Sequence, residues 1–151
     1  MLKLIFTAVL FNLLSASAEP LNCSHFTVIS HRGLSGLAPE ESELAYLLAA
    51  DLKTDYLEMD VHRTLDGVLI VTHDLTFERT TNIRAIFPNR VRNPISSFTF
   101  EEISKLETGT SFNSNFPEFE NDRFVGSKIL RLKEVIELAL AHPFLPGLYI
   151  E

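Results

Sequence analysis

Hydrophobic and polar positions along the chain switch between two periods. "HFTVIS" (25–30) is a run of β-branched and aromatic residues, which predicts a strand. "EESELAYLLAADL" (40–52) turns helical, with Leu44, Leu47, Leu48 and Leu52 on one side and acidic residues in the first turn, where the helix dipole favours them. "DYLEMDV" (55–61) and "VLIVTH" (68–73) predict two more strands, and Asp66-Gly67 between them is the turn signal of a hairpin. From about Phe77 to Ser127 no period is sustained, and Asn, Pro, Ser and Phe recur. Inside that stretch only "TFEEISKLE" (99–107) predicts a helix, opened by a Thr99–Glu102 capping box. "RLKEVIELALAH" (131–142) is amphipathic, Pro143 and Pro146 stop it, and "GLYIE" (147–151) starts a strand.

The order is strand, helix, strand, strand, irregular insertion, helix, strand. It predicts an α/β fold with crossover helices and a largely parallel sheet. The last strand is still running at Glu151. A (β/α)₈ barrel takes about 250 residues, and residues 19–151 amount to roughly half of one. The expectation is therefore the N-terminal part of such a barrel, carrying a small insertion at about 77–127. Alone, it would expose strand edges and an apolar face, and should be unstable and inactive.

Composition adds few constraints. The chain has 151 residues, 46% hydrophobic and 22% charged, with a formal net charge of −7. That is globular composition, and no basic stripe supports nucleic-acid binding. Residues 1–18 carry Lys3, an apolar stretch from Leu4 to Leu14, and Ala16-Ser17-Ala18 before a cleavage point. They predict a secretory signal peptide, hence a secreted or periplasmic protein, and the apolar stretch is short for a stable membrane anchor. Cys23 is the lone cysteine, so no intrachain disulfide forms, and Asn22-Cys23-Ser24 is a formal glycosylation sequon. Oligomeric state is not readable from the pattern.

The candidate chemistry sits at strand ends. Glu58 and Asp60 are two apart on a strand, so both face one side, opposite Leu57, Met59 and Val61. Two carboxylates on one face of a buried strand repel each other, and oxygen-only ligands favour a hard cation such as Ca²⁺ or Mg²⁺. A merely polar strand face is the plainer alternative. His31 and His73 each end a predicted strand, and strand ends of a barrel converge on one rim. Together they suit a general acid and a general base. Arg32 is a fixed charge for a phosphate, and Glu151 offers a third carboxylate. His62 is expected to face away without a role, Asp74 to orient a neighbour or cap a loop, His25 and His142 to lie on the surface, and the insertion's phenylalanines to form a core of their own.

Three segments, "HRGLSGLAPEES", "YLEMDVHRTLDGVLIVTHD" and "LKEVIELA…LYIE", closely resemble the glycerophosphodiester phosphodiesterase family over about Val28 to Glu151. The resemblance implies a (β/α)₈ TIM barrel, with the irregular stretch similar to the insertion of secreted and periplasmic members. It implies acid/base roles for His31 and His73, metal positions for Glu58, Asp60 and Glu151, and phosphate binding by Arg32. The implied reaction cleaves a small-molecule glycerophosphodiester to glycerol 3-phosphate and an alcohol. Glu41 and Ser42 stand where the family signature has Asn and Thr, and Glu41 is expected to face solvent on the first helical turn. Two other readings remain: a phospholipase D-like enzyme acting on sphingomyelin or lysophospholipids, and a non-catalytic secreted binding module.

Overall fold

The computed structural model describes residues 26–151. The predicted leader, Cys23 with its sequon, and His25 lie outside the described residues. In chain order the elements are β1 (Ile29–Ser30), α1 (Glu43–Asp51), β2 (Tyr56–Met59), β3 (Val61–Arg63), β4 (Leu69–Val71), α2 (Ile83–Ile86), α3 (Phe100–Ile103), α4 (Gly109–Asn115), α5 (Leu132–Ala141) and β5 (Gly147–Ile150). Strands β1, β2 and β5 form a parallel sheet in that order, with Ser30 opposite Leu57 and Leu57 opposite Leu148. Helices α1 and α5 lie in the crossovers. No described helix is long and apolar enough to cross a membrane.

The sheet has one apolar face. Leu57 and Met59 are fully buried against Tyr46 and Ala49 of α1 and Val135 and Ala139 of α5. Burying each such large apolar side chain contributes about 1.5–3 kcal/mol. Alternation then sends Glu58 to the other face, away from the helices. The buried side of α1 is Ala45, Tyr46, Ala49 and Ala50, while Leu48 and Leu52 are exposed. The leucine stripe is thus not what seats the helix. Small alanines let it approach the sheet closely, and Tyr46 fills the space between.

The predicted strand 55–61 breaks at Asp60. Residues before the break belong to the parallel sheet, and β3 after it pairs antiparallel with β4, Val61 opposite Val71. The hairpin closes at Asp66-Gly67 as expected, with Gly67 at φ +86°, a left-handed conformation that glycine adopts without strain. Asp66 also accepts the Phe100 N–H at 3.0 Å, tying the turn to the start of α3. The Thr99–Glu102 capping box forms at that helix.

Between β4 and α5 the chain runs through short helices and turns. Phe77 and Phe98 pack with Ile70, Ile83, Ile95, Ile103, Leu106 and Ile129. Not all the phenylalanines join that core. Phe112 and Phe124 pack instead on Ala38 and Ala45, and Phe116 and Phe119 are exposed. The aromatic residues therefore fasten the irregular stretch to the first loop and α1. Gly109 marks the tightest of these contacts: a Cβ there would stand 1.6 Å from the Phe124 carbonyl oxygen. Backbone cannot yield as a flexible side chain does, so Gly109→Ala should destabilise by about 3 kcal/mol or more. A urea unfolding midpoint indistinguishable from wild type would show that the α4–Phe124 contact is not this close.

Candidate active site

The site begins with two reciprocal backbone contacts. Past β1 the chain turns at Arg32, whose φ is +56°, and it turns again at Glu41, φ +58°. Such left-handed conformations cost non-glycine residues on the order of 1–3 kcal/mol each, and persist where surrounding contacts over-determine them. Here they do. The Glu41 N–H donates to the Arg32 carbonyl at 3.0 Å, the Arg32 N–H donates to Glu58 Oε2 at 2.6 Å, and the Asp60 N–H donates to Glu41 Oε1 at 2.9 Å. Each carboxylate holds the other segment's backbone.

Glu41 does not face solvent. It is 4% exposed and precedes the helix, which Ser42 caps by accepting the Ala45 N–H at 3.2 Å. Burial pushes its carboxyl up to about 8; the Asp60 N–H opposes this, while the charges of Asp60 and Glu40 add to it. A charged first helical turn is a statistical expectation. The φ of Glu41 swings the side chain inward, and only the tertiary contact with Asp60 explains why.

Glu58, Asp60 and Glu151 converge: one oxygen from each lies within 4.8 Å of the others. The break at Asp60 is what lets three carboxylates meet. The Thr72 N–H donates to the Asp60 carbonyl at 2.9 Å, the Glu151 N–H to Met59 O at 3.0 Å, and the Val61 N–H to Glu151 O at 3.0 Å. Glu58 is pushed above the ordinary carboxylate range, first by burial and then, against the Arg32 N–H, by the Asp60 charge. Asp60 Oδ2 is buried and has no hydrogen-bond partner among the described residues. It lies 3.2 Å from Arg32 Nε, an ion pair without hydrogen-bond alignment. An all-oxygen donor set with an unsatisfied buried oxygen fits a hard cation.

Arg32 also reaches Glu40, NH1 to Oε1, at 3.4 Å. His31 is exposed beside this cluster, and its charge favours ionised Glu58. His73 arrives differently from the expected route. Its strand joins the antiparallel hairpin and not the parallel sheet, so the hairpin, and not a barrel strand end, carries it. His62 Nε2 lies 3.1 Å from the His73 carbonyl oxygen. His142 is partly buried against α1, 3.2 Å from Asp51 Oδ1.

Asp74 does orient its neighbour, with Oδ1 2.8 Å from His73 Nδ1. Arg79, unsuspected from the sequence, donates to both oxygens of Asp74. Hydrogen bonding from Arg79 is the main cause that holds the Asp74 carboxyl down at about 2. A carboxyl lowered on folding adds stability above its unfolded pKa, and that stability is lost as pH falls through the folded value. The stability difference between wild type and Asp74→Asn should therefore be full above about pH 4 and vanish towards pH 2. Urea midpoints measured across that range check it, and a difference independent of pH would refute it.

A model of the glycerophosphoryl diester phosphodiesterase family matches residues 31–149. The chain belongs to that family.

Among curated members, the glycerophosphodiester phosphodiesterase of Bacillus subtilis is 36% identical over 117 residues, covering 78% of this chain and 37% of its own length. That of Caldanaerobacter subterraneus subsp. tengcongensis is 38% identical over 124 residues, covering 82% and 44%. Among solved structures, the glycerophosphodiester phosphodiesterase of Agrobacterium tumefaciens superposes with a TM-score of 0.64 at 33% identity, covering 83% of this chain and 46% of that one. An Oleispira antarctica phosphodiesterase in complex with the product sn-glycerol-3-phosphate gives 0.65 at 27% identity, covering 83% and 43%. The chain spans less than half the length of each of these relatives. Its α/β architecture is that of the family's TIM barrel, to which β1, β2 and β5 contribute parallel strands. His31, Arg32, Glu58, Asp60 and His73 fall within the family match, and Glu151 lies just beyond its end.

Proposed function

We propose that the protein is a cation-dependent phosphodiesterase that cleaves glycerophosphodiesters to glycerol 3-phosphate and an alcohol. The observation that carries this reading is the meeting of Glu58, Asp60 and Glu151 within 4.8 Å beside a His-Arg pair at the end of β1. A divalent cation, Ca²⁺ or Mg²⁺, held by those three carboxylates would supply positive charge against the non-bridging oxygens of a phosphodiester. Arg32 adds a second positive charge at the same place, so the anion is bound and its growing charge stabilised. His31 and His73 share the proton traffic: one takes the proton of the attacking hydroxyl, the other protonates the departing alkoxide. With Nδ1–H of His73 directed at Asp74, Nε2 is the nitrogen left to exchange that proton.

The names of the relatives support the substrate class, and the leader-like residues 1–18 support a secreted or periplasmic location. The decisive test is an assay of the full-length protein on glycerophosphocholine, with and without EDTA. Cation-dependent release of choline and glycerol 3-phosphate is expected, restored on adding back Ca²⁺ or Mg²⁺. Turnover of sphingomyelin or lysophospholipid alone would move the substrate to intact lipids, and binding without turnover would remove the enzymatic reading.

A further inference from the structure

We infer that Arg79 is a positioning residue that locks His73 and Arg32 into one run of contacts ending at Asp60 of the carboxylate cluster. This rests on the reading in which His73 exchanges protons with a phosphodiester. The guanidinium has five N–H donors in a planar fork, and here it grips two carboxylates at once. Nε donates to Asp74 Oδ2 at 2.7 Å and NH2 to Asp74 Oδ1 at 3.0 Å. NH1 donates to Glu40 Oε2 at 2.8 Å and NH2 to Glu40 Oε1 at 2.6 Å. Each carboxylate then reaches one further site residue: Asp74 the ring of His73 at 2.8 Å, and Glu40 the guanidinium of Arg32 at 3.4 Å. Arg32 continues to Asp60 at 3.2 Å. The result is a continuous run of polar contacts, His73–Asp74–Arg79–Glu40–Arg32–Asp60.

The run joins segments that are distant in the chain, since Arg79 and Glu40 are 39 residues apart. It also supplies what packing does not. The His73 side chain is 44% exposed, so no enclosing core fixes its ring. Its bond to Asp74 does, and Asp74 is itself held in place by Arg79. Without Arg79, Asp74 would lose its guanidinium partner and Glu40 would keep only the 3.4 Å contact with Arg32, so the two carboxylates would repel and swing apart. His73 would then lose both its orientation and its preferred tautomer. Burial by itself would raise the Glu40 carboxyl, yet Arg79 and Arg32 together hold it below its ordinary value. A half-exposed salt bridge kept only for stability would contribute little to it and leave kinetics untouched.

The test uses the full-length protein with Ca²⁺ or Mg²⁺ and glycerophosphocholine as probe. Arg79→Ala should lower kcat by about 10²-fold, the loss typical of a misplaced catalytic group. Arg79→Lys should not restore it, because an ammonium cannot grip two carboxylates bidentately. Millimolar guanidinium chloride should recover part of the lost rate in Arg79→Ala and none in wild type. Asp74→Asn breaks the same link with little change of volume, and the double variant should lose no more than the worse single one. Nitrogen-15 spectra of labelled histidine give a readout independent of substrate: one His73 tautomer in wild type, a mixture in Arg79→Ala. If glycerophosphocholine is not turned over but the tautomer still shifts, the positioning stands and the phosphodiesterase reading fails. Unchanged kcat and tautomer in a folded Arg79→Ala would overturn the proposal.

Discussion

His73→Ala and His31→Ala are each expected to lower kcat for glycerophosphocholine by about 10²–10⁴-fold, the usual range for a lost proton-transfer group. Neither change should unfold the protein, because both side chains are exposed and neither belongs to an apolar core. Cation affinity should change little, since neither ring is among the three clustered carboxylates. The effect therefore separates from the proposed cation site in one titration. A pH–rate profile adds the direction. With an acid and a base both acting, wild type should give a bell, and each single variant should lose one limb of it. Losses in the double variant should fall well short of the product of the single losses, as happens when residues act as a unit. Two variants that keep a full bell and near-normal kcat would remove both histidines from the mechanism.

Glu58→Gln should do two opposite things. The Glu58 carboxyl is pushed up by burial and by the facing charges of Asp60 and Glu151, against the Arg32 N–H that it accepts. A raised carboxyl destabilises the fold as pH climbs above its unfolded value, because the native state holds its proton more tightly. Glutamine removes that penalty and still offers an oxygen to the Arg32 N–H. Cation-free Glu58→Gln should then melt higher than cation-free wild type at neutral pH. Added Ca²⁺ or Mg²⁺ should reverse the order. Wild type gains stability by binding, about 2.7 kcal/mol at a hundred times Kd, and the variant has lost a charged ligand. Its cation affinity should fall by more than the roughly 10–100-fold that accompanies loss of an outer-shell partner. Calorimetric titration and melting curves with and without cation read both effects. Equal cation response in the two proteins would mean that Glu58 is not a ligand.

Local chemistry explains why part of the site is legible in the sequence. Alternation along a strand is a property of the backbone, so it puts Glu58 and Asp60 on one face and Leu57 and Met59 on the other whatever the fold. The Asp66-Gly67 hairpin, the Thr99–Glu102 capping box and the α5 helix are likewise short-range features, each set within a few residues. Glu41 shows the opposite case. Helical statistics place it on a solvated first turn, whereas a left-handed φ and an acceptor role toward Asp60 place it inside. No local pattern signals that contact, which spans 19 residues.

By itself, then, the order of residues determined the alternating strands and helices, the pairing of Glu58 with Asp60 and the motifs that resemble a family. Only the folded chain decided that the strand breaks at Asp60, that Glu41 turns inward to hold the Asp60 backbone and that Arg79 spans two loops. The division has a physical reason. Strand alternation and helical period arise from backbone geometry at each residue, whereas an ion pair between Arg79 and Glu40 forms only after distant segments have been packed side by side.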